Sequence, residues 1–96
     1  MTSCYKIKTN RSFRRALKNL ARGSRPKDVY ELRKVLLALS NKERLAAKYR
    51  DHKLTGKLAG WRECHVKPDL LLLYSIDTDN GLLILGDLGS HTELFG

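Results

Sequence analysis

Three histidines and one aspartate are the side chains of this sequence that most directly suggest chemistry. His52, His65 and His91 all lie in the second half of the chain, at or near predicted loops or strand ends, and Asp69 follows Pro68 at the start of a strand. Histidine exchanges protons near neutral pH, and loops at strand ends often present such groups on a rigid scaffold. Together they suggest general acid–base chemistry, although each histidine taken singly is more typical of a structural or surface position.

Other enzyme classes find little support in the sequence. The histidines are separated by 13 and 26 residues, which matches no compact zinc motif, so we expect neither a metal nor another cofactor. The chain also has no G-x-S-x-G, G-x-x-x-x-G-K-[ST] or H-E-x-x-H motif and no specific pair of carboxylates. Serine hydrolases, P-loop enzymes and zinc proteases are therefore disfavoured.

Charge is divided unevenly along the 96 residues. Residues 1–50 carry 15 basic and 3 acidic side chains, whereas residues 51–96 carry 4 basic and 7 acidic ones, and the chain has a net charge of +9. Such an excess points to a polyanionic partner, either nucleic acid or an acidic protein, although a solvated basic face without a ligand remains the alternative. No apolar run approaches the roughly 20 residues that span a bilayer, so no membrane partner is expected.

The first half of the chain must supply a scaffold for these side chains. Residues 4–8 alternate as a half-buried strand does. Thr9 and Asn10 can each cap a helix in which Phe13, Ala16, Leu17 and Leu20 form the apolar stripe, and Gly23 suits a left-handed position at its end. Ser24 or Arg25 then caps a second helix that starts near Pro26 and stops near Asn41. These signals predict a helical hairpin.

The second half of the chain predicts three strands after an irregular segment at residues 41–60. Residues 61–66 alternate, with Trp61, Glu63 and His65 on one face and Arg62, Cys64 and Val66 on the other. Residues 70–76 are apolar throughout, as in a central strand, and the loop at residues 77–81 leads to a returning strand at 82–88. Residues 89–95 form a short tail with room for one helical turn.

The predicted fold is therefore a single α+β domain over residues 1–96 in the order β-α-α-β-β-β, with a small antiparallel sheet packed against an N-terminal helical hairpin. Cys4 and Cys64 show no C-x-x-C spacing and are expected to be free thiols. The N-terminus lacks the apolar stretch of a secretory signal, which favours a cytoplasmic location.

A basic protein with histidines and a carboxylate is suited to one reaction that needs few catalytic groups. This is the cleavage of RNA in which the 2′-hydroxyl of the RNA is the nucleophile. That reaction needs a base, an acid, a cation for the charge that develops on phosphorus, and a surface that aligns the nucleotide. It requires no metal ion.

Three segments carry a resemblance to a known family. They are Tyr-Arg-Asp-His-Lys-Leu-Thr-Gly at residues 49–56, Gly-Trp-Arg-Glu-Cys-His-Val-Lys-Pro-Asp-Leu at 60–70, and Gly-Ser-His-Thr-Glu-Leu-Phe-Gly at 89–96. In order and separation they resemble the YafQ branch of the RelE toxin superfamily. The resemblance implies a sheet-and-hairpin fold, cleavage of messenger RNA in the A site of the 70S ribosome, and neutralisation by a cognate antitoxin, with operator DNA bound only through that antitoxin.

The resemblance also implies which side chains act. The family's functional positions fall on His52, His65, Asp69, His91 and Phe95, with His91 as general acid and either His65 or Asp69 as base. Phe95 would contact a base or place His91, or else anchor the tail to the core. Contacts to RNA are expected from seven basic side chains, namely Arg14, Arg15, Lys18, Arg22, Lys53, Arg62 and Lys67.

The sequence departs from the family pattern at two positions. Asp87 stands four residues before His91, where the family usually has an arginine, and Leu70 stands where an aromatic side chain is common. Arg62, Lys67 or Lys53 would then supply the missing positive charge, with Arg62 favoured. Two alternatives to an active endoribonuclease stay open: a catalytically weakened member that acts mainly as an antitoxin-binding partner or repressor subunit, and a plain basic nucleic-acid-binding domain.

Overall fold

The computed structural model describes residues 4–23 and 26–96. The predicted α+β fold and the order β-α-α-β-β-β are confirmed, with a two-residue strand and a C-terminal helical turn in addition. The elements are β1 (Lys6–Thr9), α1 (Arg11–Arg22), α2 (Pro26–Ser40), β2 (His52–Lys53), β3 (Arg62–Lys67), β4 (Leu70–Asp77), β5 (Leu82–Gly89) and α3 (His91–Phe95).

The strands form one five-stranded sheet in the order β1-β5-β4-β3-β2. Strands β3 to β5 pair antiparallel, as predicted. The short β2, in a segment predicted to be irregular, pairs antiparallel to β3. The prediction of an antiparallel sheet is wrong for β1, which pairs parallel to β5. The sheet is mixed because the helical hairpin that follows β1 carries the chain across the sheet, which leaves β1 beside the last strand. Strand β4 therefore occupies the centre, in agreement with its apolar sequence.

The helix α1 begins where its sequence predicts. The Asn10 side chain accepts a hydrogen bond of 2.8 Å from the backbone N–H of Phe13, which caps the first turn. The expectation of a left-handed Gly23 is wrong: Gly23 has φ −76° and ψ 174°. The chain leaves α1 in extended conformation because α2 begins at Pro26, and the proposed caps Ser24 and Arg25 lie outside the described residues.

The two long helices pack on one face of the sheet. Phe13 and Leu20 of α1 and Leu32, Val35 and Leu39 of α2 are buried there. The sheet contributes alternate residues of β3, β4 and β5 to the same core: Cys64, Val66, Leu72, Tyr74, Leu83, Leu85 and Leu88. By the two-residue period of a strand, Glu63 and His65 project from the opposite face. The alternation predicted for residues 61–66 is thus confirmed.

The register of the sheet contains a shift that bears on the site. In the β4–β5 pair, Tyr74 lies opposite Leu85 but Leu73 lies opposite Asp87, which leaves Gly86 without a partner. Such a bulge bends a strand and re-aims the residues that follow. Because of it, Asp87 joins the face of Leu73 and Glu63 rather than the helix-covered face.

Two smaller observations complete the fold. Both cysteines are free, with Cys4 exposed and Cys64 buried. No helix in residues 4–23 and 26–96 combines the length and the apolar character that crossing a membrane requires.

Candidate active site

A buried carboxylate brings two of the predicted histidines together. His52 of β2 lies opposite Glu63 of β3, and His65 follows two residues later on the same face. Glu63 Oε1 is 3.6 Å from His52 Nε2 and 3.5 Å from His65 Nε2, although only 5% of Glu63 is exposed. The two imidazole rings are 6.5 Å apart between centroids. Glu63 therefore holds both rings on the same face of the sheet.

The ring of His52 is fixed from its other side as well. Its Nδ1 atom lies 2.7 Å from the backbone carbonyl oxygen of Arg50. A carbonyl only accepts hydrogen bonds, so Nδ1 carries the hydrogen and Nε2 is the atom turned towards Glu63. Both ring nitrogens of His52 therefore face an oxygen, Nδ1 that of the Arg50 carbonyl and Nε2 that of the Glu63 carboxylate.

The other two predicted catalytic side chains lie at the end of the sheet where β3 turns into β4. Asp69 occupies that turn, and its Oδ1 atom is 3.5 Å from the backbone nitrogen of His91. His91 is the first residue of α3, which is capped by Ser90: its hydroxyl accepts from the Glu93 N–H at 3.1 Å, and the Glu93 carboxylate accepts from the Ser90 N–H at 2.7 Å. This capping box sets the direction in which His91 leaves the sheet.

Phe95 lies beside His91. The centroids of the two rings are 5.2 Å apart, and 39% of Phe95 is exposed. A side chain that served to anchor the tail in the core would be buried. The contact therefore supports the expectation that Phe95 places His91.

Strand pairing sets the distance across the site. His65 lies opposite Leu71, and Leu71 lies opposite Gly89, two residues before His91. Neighbouring strands are about 4.8 Å apart, so the backbones at His65 and Gly89 are separated by about 10 Å. The backbone of His65 therefore lies about two strand spacings from the strand end that leads into His91.

Asp87 occupies the same face but is turned aside. Its Oδ1 atom accepts a hydrogen bond of 2.9 Å from the backbone N–H of Leu88. Asp87 also lines a groove of about 390 Å³ between α1, β5 and α3, together with Arg15 of α1. The contact that the Asp87 carboxylate makes is thus with the backbone of the next residue.

The structure does not bring Arg62 together with the histidines. Arg62 lies on the helix-covered face, where its guanidinium donates to Asp51 at 3.1 Å and to the Tyr74 hydroxyl at 3.3 Å. The hydrogen bond to Asp51 raises the pKa of Arg62, and burial together with a 2.5 Å hydrogen bond to Asp51 raises the pKa of Tyr74. This network ties β3 and β4 to the residue that precedes His52.

The remaining predicted RNA contacts fall on three separate surfaces. Arg14, Arg15 and Lys18 line an exposed hollow on α1 together with Arg11, and Arg22 is exposed at the end of the same helix. Lys53 lines a crevice beside Trp61, on the face of Arg62 by register. Lys67 lines a pocket that it shares with His65. Lys67 thus shares a pocket with a predicted catalytic histidine.

Two residues of the site escaped the sequence interpretation, Glu63 and Arg50. The signal for Glu63 was present: it stands two residues before His65 in an alternating strand, and an acid on a half-buried face needs a partner. Arg50 had no such signal, because its role depends on a backbone conformation with φ 49°.

The side chains do not form a metal centre in this arrangement. In the described ranges, no three histidine, cysteine, aspartate or glutamate side chains converge closely enough to hold a metal ion.

Comparisons with known proteins point to one family. The family described as "Bacterial toxin of type II toxin-antitoxin system, YafQ" matches residues 5–96. The mRNA interferase toxin YafQ of Escherichia coli is 41% identical over 73 residues, which cover 75% of this chain and 77% of that protein.

Solved structures agree with this result. A metal-bound toxin from Helicobacter pylori has a TM-score of 0.85 and 45% identity, covering 95% of this chain and 99% of that one. The E. coli DinJ–YafQ complex has a TM-score of 0.81 and 32% identity, covering 96% and 99% of the two chains.

Proposed function

The chain belongs to the YafQ family of bacterial toxins of type II toxin–antitoxin systems, and from that premise we propose that it is an endoribonuclease that cuts messenger RNA on the ribosome. The observation that carries the proposal is that strand pairing sets the two histidines on buried Glu63 about two strand spacings from Gly89, beyond which His91 begins α3 with its backbone nitrogen 3.5 Å from Asp69. This arrangement provides proton-transfer groups on both sides of one phosphate.

In the proposed reaction, a base removes the proton from the 2′-hydroxyl, whose oxygen attacks the adjacent phosphorus. The bond from phosphorus to the 5′-oxygen then breaks, and an acid protonates the departing oxygen. Attacking and leaving oxygens stand roughly in line, so base and acid belong on opposite sides of the phosphate. The products are a 2′,3′-cyclic phosphate and a free 5′-hydroxyl.

The geometry favours one assignment of these roles. Asp69 lies beside the backbone of His91, on the same side of the site. With His91 as the acid, the base on the far side is His65, which Glu63 orients. Asp69 then holds the start of α3, and Phe95 sets the ring of His91. His52, held on the same carboxylate, contacts the phosphate oxygens and helps to position them.

In this proposal, the basic face of α1 binds the ribosome. Arg14, Arg15 and Lys18 form one exposed surface together with Arg11, well suited to ribosomal RNA because phosphate contacts position a protein without reading sequence. This division leaves the face with the histidines free for the messenger.

The proposed protein partner is a cognate antitoxin. E. coli YafQ forms a complex with DinJ, and this chain covers nearly all of that toxin's length. We expect the antitoxin to carry an acidic segment complementary to the basic surface, and operator DNA to be bound only through it. A toxin that acts on translating ribosomes works in the cytoplasm.

The test is cleavage by purified protein. Wild-type protein should cut messenger RNA on translating ribosomes and leave the same RNA intact without them. His91→Ala should lower the cleavage rate on the order of 10²–10⁴-fold without loss of folding. Intact messenger on ribosomes treated with folded wild-type protein would contradict the proposal.

A second function is motivated by Asp87, where the family usually has arginine: a weakened enzyme that acts mainly by binding its antitoxin. Asp87→Arg distinguishes the two. A rise in the cleavage rate on the order of 10²–10³-fold would mean that the natural site is impaired, because one contact that stabilises transition-state charge changes the rate by about that factor. Little change, beside a large loss in His91→Ala, would support the active enzyme.

A further inference from the structure

A second pocket opens beside His65, at the edge of the sheet that β2 leaves uncovered. Its volume is about 400 Å³, which is within the range of sites that bind small ligands. Three cationic side chains contribute to its lining, Lys48, Arg50 and Lys67, and exposed Pro68 adds an apolar ring. His65 belongs both to this pocket and to the group around Glu63, so the pocket adjoins the site of cleavage.

The charges of the pocket are not balanced by the protein. Its acidic residue is Glu31, which accepts a 2.6 Å hydrogen bond from Tyr49 and lies 3.5 Å from Lys34 and 3.8 Å from Lys48. These contacts lower the pKa of Glu31, so its carboxylate stays ionised and remains bound to these partners. Arg50 and Lys67, by contrast, have no acidic partner within the described residues. Two cations therefore remain for an anion from outside.

The backbone of Arg50 connects this pocket to His52. Arg50 has φ 49° and ψ 44°, a left-handed conformation that is uncommon for a residue with a side chain. Its N–H is bonded to the carbonyl of Ala47 at 3.0 Å, and its own carbonyl accepts from His52 Nδ1 at 2.7 Å. The residue that holds His52 thus also contributes to the cationic pocket.

Building on the proposed function, we propose that this pocket binds the nucleotide next to the cleaved phosphate of the messenger. Arg50 and Lys67 bind its phosphate group, and its base packs against Pro68. The pocket also supplies positive charge to the site, where Asp87 stands in place of the family's usual arginine. Arg62 does not supply it, because Asp51 and Tyr74 hold its guanidinium on the other face of the sheet.

The experiment measures the binding of a short single-stranded RNA that carries 2′-O-methyl groups and cannot be cleaved through the 2′-hydroxyl. Its affinity is recorded against KCl concentration for wild type, Arg50→Gly and Lys67→Ala. Glycine is chosen at position 50 because it keeps the left-handed backbone and the carbonyl contact to His52 while removing the guanidinium. Arg44→Ala and Lys57→Ala, both exposed and outside this pocket, are the matched controls.

We expect each pocket variant to bind several-fold more weakly at low salt and to reduce the slope of log K against log salt by about 0.7, the value for one phosphate contact on a single strand. Arg50→Lys should restore most of the slope, and both controls should match wild type. Equal slopes for pocket variants and controls would overturn the proposal, as would wild-type protein that does not bind this RNA.

This outcome is separable from that of the proposed function. Reduced slopes in the pocket variants, with no cleavage of ribosome-bound messenger by wild type, would keep the binding pocket and reject the endoribonuclease. Cleavage by wild type, with pocket variants that bind and cleave like the controls, would reject the pocket alone.

Discussion

The indole ring of Trp61 lies against Gly86, so closely that a Cβ atom at position 86 would be 2.6 Å from Cζ3 of the ring. Gly86 is also the residue left without a partner where the register shifts between β4 and β5. The ring therefore packs on the bulge that turns Asp87 onto the face of Glu63. A residue with no assigned chemistry thereby helps to shape the site.

Gly86→Ala should destabilise the fold, because the added methyl group meets a rigid ring rather than a flexible chain. We expect a loss of about 1–3 kcal/mol in the free energy of unfolding, measured by urea denaturation. In the double variant with Trp61→Ala the clash is absent, so the two effects should fall short of their sum. Strict additivity would show that the ring does not rest on Gly86.

Glu63→Gln tests the role of the shared carboxylate. The amide keeps the shape of the side chain but removes the charge that orients His52 and His65. We expect the rate of RNA cleavage to fall on the order of 10²-fold, at the lower end of the range for acid–base groups. The far-ultraviolet circular dichroism spectrum should be unchanged, and a fully active variant would remove Glu63 from the mechanism.

Arg62→Ala tests whether that guanidinium is structural. Its loss leaves the Asp51 carboxylate with Tyr74 as its remaining partner in the network. We expect the free energy of unfolding to fall by about 1–3 kcal/mol, while the salt dependence of RNA binding stays that of wild type. A reduced salt dependence with unchanged stability would instead place Arg62 on the RNA.

The two cysteines should differ in reactivity. Burial, with smaller contributions from Asp51 and Glu63, raises the pKa of the Cys64 thiol to about 12, and none of its surface is exposed. Only the thiolate is nucleophilic, so iodoacetamide at pH 8 should modify native protein at Cys4 alone. Mass spectrometry should show one adduct in native protein and two in urea. Equal labelling of both thiols would contradict the packing of β3.

Tyr49 should make stability sensitive to alkali. Its hydrogen bond to Glu31, followed by burial, raises its pKa from 10.0 to about 12. The unfolded chain therefore loses this proton first as the pH rises. The contribution of Tyr49 to stability is complete below pH 10 and is lost as the pH rises towards 12. Tyr49→Phe should show a flatter decline over that interval in denaturation followed by circular dichroism, and an identical decline would contradict the assignment.

The order of the elements could be predicted because each main helix and strand has its own hydrophobic periodicity in the sequence. The apolar spacing from Phe13 to Leu20 predicts α1, and the two-residue alternation from Trp61 to Val66 separates the helix-covered face from the face of His65. That alternation also predicts that the Arg62 and His65 side chains lie on different faces of the sheet, as they do in the structure. The parallel pairing of β1 was not predicted, since it depends on where the helical hairpin returns the chain.

The sequence by itself determined the fold class, the order of the main elements, the family motifs and the set of titratable side chains, because periodicity and residue type are properties of neighbours along the chain. Only the tertiary structure decided which of them meet. Alternation from Leu83 and Leu85 would carry Asp87 to the core, and the bulge at Gly86 reverses that. Glu63 reaches His52 through the pairing of β2 with β3. Arg50 adopts its conformation in a turn whose carbonyl meets His52. Register, bulges and left-handed turns are set by contacts between distant segments, which no local pattern encodes.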